Sequence, residues 1–127
     1  MTTHAKGTLD VTDWVESLIA ETDGQAKQAT AHSQAAFSGD LEGNGRSDWL
    51  LTYPADGPAH FVGTQRFEGK VAGRAGSFVL HVRGTFDGAG AHVTWDVVPG
   101  SGSGELAGLT GSGGYENADY TLDFSLA

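Results

Sequence analysis

Two pairs of polar side chains have a spacing that could support proton transfer. His81 and Arg83 are separated by one residue in an apolar run, so a β-strand would place both on one face. Histidine changes charge near neutral pH and can act as an acid or base, although an isolated strand histidine is more often structural. Arg66 and Glu68 could polarise a substrate carbonyl, or could simply form an exposed ion pair. The catalytic candidates are therefore His81, Arg66 and Tyr53.

A second group of side chains is suited to binding rather than to reaction. Aromatic rings could form a wall for an apolar ligand, and the competing interpretation is ordinary core packing. Neighbouring polar groups would fix the orientation of that ligand. The ligand-binding candidates are Trp49, Gln65, Phe67, Arg83 and Trp95.

Several other kinds of chemistry are not indicated by the sequence. The chain has no cysteine, which excludes thiolate metal ligands and cysteine nucleophiles. Its five histidines show neither HxH nor HExxH spacing, so no metal site is expected. The glycine-serine run is not followed by the Lys-Ser/Thr pair of a phosphate-binding loop, and no nucleophile elbow is present. We therefore expect no cofactor.

The charge balance limits the partners of the chain. Its 16 acidic and 7 basic residues give a formal net charge of −9. Nucleic acids and anionic membranes bind clustered Lys and Arg, so neither is an expected partner. The N-terminal residues lack the pattern of a signal peptide, and no apolar run approaches the ~18 residues of a membrane span. A cytoplasmic location is the resulting prediction.

Apolar alternation along the chain predicts an all-β protein. Short runs rich in Val, Thr, Phe, Tyr and Trp alternate with turns rich in glycine. The predicted strands span residues 6–11, 26–37, 47–53, 59–71, 77–86, 91–98, 104–111 and 119–126. Residues 12–25 predict a short helix or an irregular loop, because Trp14, Leu18 and Ile19 have helix-like spacing.

The stretch from Val97 to Gly114 indicates how these strands are arranged. It combines strand-spaced apolar residues with many glycines, which mark bulges and sharp bends. Such bends favour a sheet that curls and closes on itself. We predict one domain, residues 1–127, folded as a single eight-stranded antiparallel β-barrel.

The hairpin around Gly88–Gly90 predicts which side chains share a face. If it pairs Arg83 with Trp95, then His81, Arg83, Trp95 and Val97 lie on one side of the sheet. Both faces mix polar and apolar residues. The sequence therefore leaves open which face points inward.

Three segments together resemble the bacterial domain-of-unknown-function family 3224. They are SGDLEG at 38–43, RFEGKVAGRAGSFVLHVRGTF at 66–86 and VVPGSGSGELAGL at 97–109. Members of this family look like barrels of the allene-oxide-cyclase type, which implies an axial cavity and frequent oligomerisation. The chain departs from the family pattern at Gln65, where an acidic residue is usual, and at His81, one residue before the family's histidine position.

The sequence and the resemblance together favour two functions almost equally, and a third function less strongly. The first is a cofactor-independent cyclase or isomerase that folds a small apolar or polyketide-like substrate into a reactive shape. The second is a carrier that binds such a molecule without transforming it. The third is an interaction protein whose lumen is filled by side chains. A homo-oligomer is expected in each case.

Overall fold

The computed structural model describes residues 2–20 and 26–126, and within them it contains strands, turns and bends but no helix. Alternation of apolar and polar side chains drives strand formation throughout. The strands are β1 Thr3–Ala20, β2 Lys27–Gly39, β3 Leu41–Tyr53, β4 Ala59–Val71, β5 Arg74–Asp87, β6 Gly90–Val97, β7 Ser103–Gly104, β8 Thr110–Glu116 and β9 Asp119–Ser125.

All nine strands belong to one antiparallel sheet that closes into a ring. The strand order is β4-β3-β2-β1-β9-β8-β6-β5-β7, and the additional pairing of β4 with β5 closes the circuit. The short strand β7 pairs with β5 at Gly76 and Ser77. Closure leaves few strand edges exposed, which protects the sheet against pairing with other chains.

Strand β1 is the longest strand, and it uses its two halves differently. Its first half, Thr3 to Thr8, pairs with β9. Its pairing with β2 begins at Gly7 and continues to Ala20. Beyond Leu9, the side of β1 that faces β9 therefore has no strand partner among the described residues.

The interior of the ring holds the hydrophobic core. Alternate residues of β2 are buried, and they are mostly small: Ala29, Ala31, Ser33, Ala35 and Phe37. Larger side chains from β4, β5, β6 and β9 fill the space opposite them. The positions between them face outward and are mostly exposed, as expected for a sheet with one buried side.

One end of the ring is packed solid, and we call it the closed end. Phe67 and Phe78 are fully buried there, with ring centroids 5.1 Å apart. Leu106 comes from the turn between β7 and β8 and is also fully buried. This end therefore has the close packing of an ordinary protein interior.

Tyr120 of β9 joins the closed end to the β2–β3 turn. The residue is only 1% exposed. Its hydroxyl donates to the Ser38 carbonyl oxygen at 2.7 Å and accepts from the Leu41 N–H at 2.9 Å. Gly7 and Gly39 leave room for the phenol, since a Cβ on either residue would collide with the hydroxyl or with neighbouring backbone.

The structure corrects the predicted elements in two places. Residues Thr12 to Ala20 continue β1 rather than forming a helix or loop, while 21–25 lie outside the described residues. The strand predicted at 104–111 is instead divided between β7 and β8, with a turn between them that buries Leu106 and Leu109. Across the described part of the chain, no helix is long and apolar enough to span a bilayer.

We expect Tyr120→Phe to lower the free energy of unfolding by about 1–3 kcal/mol, because the buried Leu41 N–H would lose its acceptor. Urea denaturation followed by fluorescence would measure this loss. Tyr115→Phe is the matched control, since the Tyr115 hydroxyl has no hydrogen-bond partner among the described residues. Equal stability of the two variants would contradict the role given to Tyr120.

Candidate functional site

The end of the ring opposite the closed end contains a partly enclosed cavity of about 410 Å³, which we call the mouth cavity. This volume is within the range of about 300–1,000 Å³ typical of small-molecule sites. Most of its wall is apolar or aromatic. The lining residues are Val11, Trp14, Glu16, Trp49, Leu51, Tyr53, Ala59, Phe61, Phe86, Ala91, Tyr115 and Asn117.

A β-bulge in β1 turns an acidic side chain into this cavity. The pairing with β2 shifts between Thr12 and Val15, and Asp13 has a φ of 52°. Before the bulge, odd-numbered residues of β1 such as Leu9 are buried in the ring. After it, Glu16 is opposite the buried Ala31 and lines the cavity. The extra residue has therefore reversed the inward-facing set of side chains.

Glu16 forms the polar centre of the mouth cavity. Its two carboxylate oxygens each lie 2.9 Å from the Tyr53 hydroxyl, which donates to them. The Trp14 indole N–H donates to Glu16 Oε1 at 3.1 Å. A carboxylate and a phenol are thus held together at the edge of an aromatic wall, and hydrogen bonds to an ionised group are stronger than neutral ones.

The aromatic wall is held in place by buried hydrogen bonds and ring contacts. The Trp49 indole N–H donates to Ser33 Oγ at 3.0 Å. Phe61 meets Trp49 edge to face, with ring centroids 5.2 Å apart. These contacts fix the indole orientation, so this part of the wall is formed before any ligand binds.

Tyr115 forms the opposite side of the cavity. Its ring lies 5.2 Å from that of Trp95, centroid to centroid. Burial raises the pKa of Tyr115 to about 12. The phenol is therefore a neutral hydrogen-bond donor at physiological pH.

The pKa of Tyr53 is also raised to about 12. Burial is the largest cause, followed by the hydrogen bond to Glu16 and by the negative charge of that residue. Burial likewise raises the pKa of Tyr120. All three tyrosines of the chain remain protonated well above neutral pH.

The structure brings some of the residues predicted from sequence into or near this cavity. Tyr53 and Trp49 line it. Trp95 lies behind Tyr115 and is almost fully buried, with its indole N–H donating to the Thr121 carbonyl oxygen at 3.1 Å. Phe67 is fully buried at the closed end.

Gln65 also faces inward and is 3% exposed. Its side-chain oxygen is buried without a hydrogen-bond partner among the described residues. Its amide nitrogen lies close to Gly45, next to Phe37. The amide therefore extends towards the aromatic core, and Gln65 is not among the residues that line the mouth cavity.

His81, Arg66 and Arg83 lie elsewhere, on the exposed outer face of the ring. Arg66 Nη1 donates to Glu68 Oε2 at 2.8 Å, and the two side chains are 58% and 70% exposed. They form a surface ion pair of the kind that contributes little to stability. The structure therefore does not bring His81 or Arg66 together with Tyr53.

The predicted pairing of Arg83 with Trp95 is wrong by one residue. Trp95 pairs with Val82, and Arg83 pairs with Thr94. Because side chains alternate across a strand, this shift puts Trp95 inside and His81 and Arg83 outside. Val82, between His81 and Arg83, is the residue that faces inward.

Metal binding has no obvious site in the described residues, because no three His, Asp or Glu side chains are grouped closely enough to hold an ion. His92 is the histidine with the most acidic surroundings. Its ring nitrogens lie 3.9 Å from Asp87 Oδ2 and 3.7 Å from Glu116 Oε1. These are long surface contacts rather than a coordination sphere.

The family model for proteins of unknown function, DUF3224, matches residues 5–126 of the chain. The chain belongs to the DUF3224 family. A crystal structure of a DUF3224 protein of unknown function from Shewanella oneidensis MR-1 is similar to it, with 30% identity and a TM-score of 0.84. The match covers 100% of this chain and 99% of the Shewanella chain. No curated protein matches this DUF3224 chain.

Sequence reasoning missed Glu16, Phe61 and Tyr115 as lining residues of this DUF3224 protein. Glu16 lies in the segment expected to be a helix or loop, where no strand face could be assigned. Tyr115 follows the glycine-rich stretch and falls outside the predicted strands. The signal that could have placed Glu16 in the wall is the break in strand alternation at the bulge. The helix-like spacing of Trp14 and Leu18 favoured a helix or loop there instead, so the break was not interpreted as a bulge.

No tyrosine of the folded protein should ionise near pH 10, and Glu16→Gln should lower the pKa of Tyr53 by removing a charge and its hydrogen bond. Raised folded-state pKa values give stability that is complete below the unfolded pKa of about 10 and is lost as pH rises towards the folded value. A stopped-flow pH jump recording tyrosinate absorbance before unfolding would test this. Ionisation of a folded tyrosine near pH 10 would contradict it.

Gln65→Met should stabilise the protein by about 1–3 kcal/mol, because it removes a buried oxygen that has no partner. The comparison is made by urea denaturation. Gln34→Met places the same change on the exposed face of β2 and serves as the control. A loss of stability in Gln65→Met, with the control unchanged, would show that the amide has a partner.

Proposed function

We propose that this protein binds a small apolar molecule in the mouth cavity. The observation that supports this function best is a mostly apolar cavity of about 410 Å³ with six aromatic residues in its wall. Exposed apolar surface of this kind is costly in water and commonly marks a ligand site. A filled lumen would instead favour an interaction protein, and only the closed end is filled.

We also propose that the ring of strands is a β-barrel. Eight strands have seven residues or more, whereas β7 has two and only extends one side of β5. We interpret the eight long strands as a barrel of the allene-oxide-cyclase type, with β7 as an addition to it. In such a barrel the lumen is the natural place for a ligand.

A cyclase or isomerase is the second candidate, and the Tyr53–Glu16 pair favours it. When a substrate displaces the hydrogen bond to Glu16, the phenol could donate to a substrate carbonyl while the freed carboxylate removes a proton from the adjacent carbon. Returning that proton to another carbon of the enolate would complete an isomerisation without a cofactor. The aromatic wall would hold a flexible substrate in the reactive shape.

The two candidates make different demands on Glu16 and Tyr53. Native mass spectrometry of gently purified protein would identify a retained compound, which then becomes the substrate to test. An enzyme should lose turnover in Glu16→Gln and Tyr53→Phe while it still binds that compound. A carrier should show no turnover in the wild type.

The homo-oligomer stays a prediction. The surface that would pair with a second copy is an apolar outer face of the ring. Leu50 and Val62 pair across β3 and β4 and point outward, at 56% and 51% exposure. Val15 lines the same outer groove as Leu50. Light scattering of Leu50→Glu against the wild type would reveal whether this face pairs with a copy.

Filling the cavity should abolish binding without unfolding the protein. Ala91 lines the mouth cavity on β6, so Ala91→Trp should weaken binding of the neutral probe N-phenyl-naphthylamine at least about tenfold by occupying its volume. Thr94→Trp is the matched control, because Thr94 lies on the exposed face of the same strand. Fluorescence titration measures both.

Absence of probe binding to the wild type would count against the proposed function. Equal binding by the wild type and Ala91→Trp would place the probe outside the mouth cavity and would also contradict it.

A further inference from the structure

The mouth cavity contains a donor that lacks an acceptor, the hydroxyl of Tyr115. Tyr115 lines the cavity, and its ring packs against Trp95. Among the described residues nothing accepts a hydrogen bond from this hydroxyl. The side chain of Tyr115 is half-buried, so a ligand that supplies an acceptor oxygen here would gain one hydrogen bond at the edge of an apolar wall.

The other polar groups of the wall are already engaged or are in water. Tyr53 and Trp14 donate to Glu16. The Trp49 indole N–H donates to Ser33. Asn117, at the rim, is exposed to solvent. Tyr115 is therefore the half-buried lining residue whose donor has no acceptor among the described residues.

The charge of the wall limits the ligand that could provide the acceptor. Glu16 is the one acidic lining residue, and neither Lys nor Arg is present among the lining residues. Lys27 contacts Tyr53, with its ammonium 4.8 Å from the ring centroid, but it does not line the cavity. A carboxylate or phosphate on the ligand would therefore face a carboxylate rather than a cation.

The shape of the wall limits the body of the ligand. Trp49 and Phe61 present an edge-to-face pair on one side. Tyr115 presents its ring on the other side, inclined by 57° to the ring of Trp95 behind it. Flat aromatic or alicyclic rings make the largest contact with such surfaces.

We infer that Tyr115 is a specificity-determining residue whose hydroxyl binds the carbonyl oxygen of an uncharged, ring-containing ligand. The inference rests on the proposed ligand-binding function and narrows it to neutral ketones and esters. Hydrocarbons of the same shape lack the acceptor. Carboxylic acids carry a charge that the wall does not compensate.

A displacement assay with N-phenyl-naphthylamine tests the inference with three competitors of matched shape. They are methyl naphthyl ketone, ethylnaphthalene and naphthoate. The wild type should bind the ketone about 3- to 10-fold more tightly than the hydrocarbon, the ratio expected for one added hydrogen bond. Tyr115→Phe should bring that ratio close to one and leave the affinity for the hydrocarbon unchanged.

Tyr120→Phe is the control for loss of a phenol hydroxyl in general. It should keep the preference for the ketone, because the Tyr120 hydroxyl lies at the closed end and is bonded to Ser38 and Leu41. Unchanged binding of ethylnaphthalene by Tyr115→Phe would show that the variant is folded.

The outcomes separate this inference from the proposed function. Equal binding of ketone and hydrocarbon by the wild type would overturn the role of Tyr115 while ligand binding stands. Tighter binding of naphthoate would overturn the restriction to uncharged ligands. Failure of the probe and of all three competitors to bind would overturn the proposed function itself.

Discussion

The closed ring depends on β1, because this strand pairs with two neighbours over different parts of its length. Residues Thr3 to Thr8 pair with β9, whereas pairing with β2 starts at Gly7 and runs to Ala20. Such stagger between neighbouring strands is what allows a sheet to close. Tyr120 reinforces the seam, since it reaches from β9 past Gly7 to the β2–β3 turn. The packing of the interior follows from this closure.

The two ends of the ring have different roles: the closed end contributes core packing, and the other end contains the mouth cavity. At the closed end, Phe67, Phe78 and Leu106 are fully buried in the core. At the other end, β1 extends beyond its pairing with β9, and Val11, Trp14 and Glu16 line the wall there. Substitutions of Val11, Trp14 or Glu16 therefore disturb few of the contacts that hold the fold together, whereas the lining residues Trp49 and Leu51 also belong to the core. The separation lets one end change its chemistry while the other keeps the structure.

Alternation of apolar residues was sufficient to predict an all-β chain and most strand positions, since buried residues recur at every second position. Side-chain facing was not predictable from β5 and β6, because it depends on whether Asp87 pairs with Gly90 or one residue further on. That single step reverses the positions of Trp95 and His81. The site was only partly predictable: Trp49 and Tyr53 lie in regular strands, whereas Glu16 depends on a bulge that tertiary pairing stabilises.

The bulge at Asp13 also affects how sequences of this kind can diverge. A single residue inserted or deleted between the bulge and Leu18 would exchange ligand-facing for solvent-facing side chains in that segment, because it changes their alternation up to the second register shift, between Leu18 and Ala20. The other strands would keep their registers. A length change of this kind would disrupt a central strand, whereas here it would replace one set of cavity-lining side chains with another. Sequence alignments that place a gap near Asp13 would compare side chains from opposite faces of the sheet.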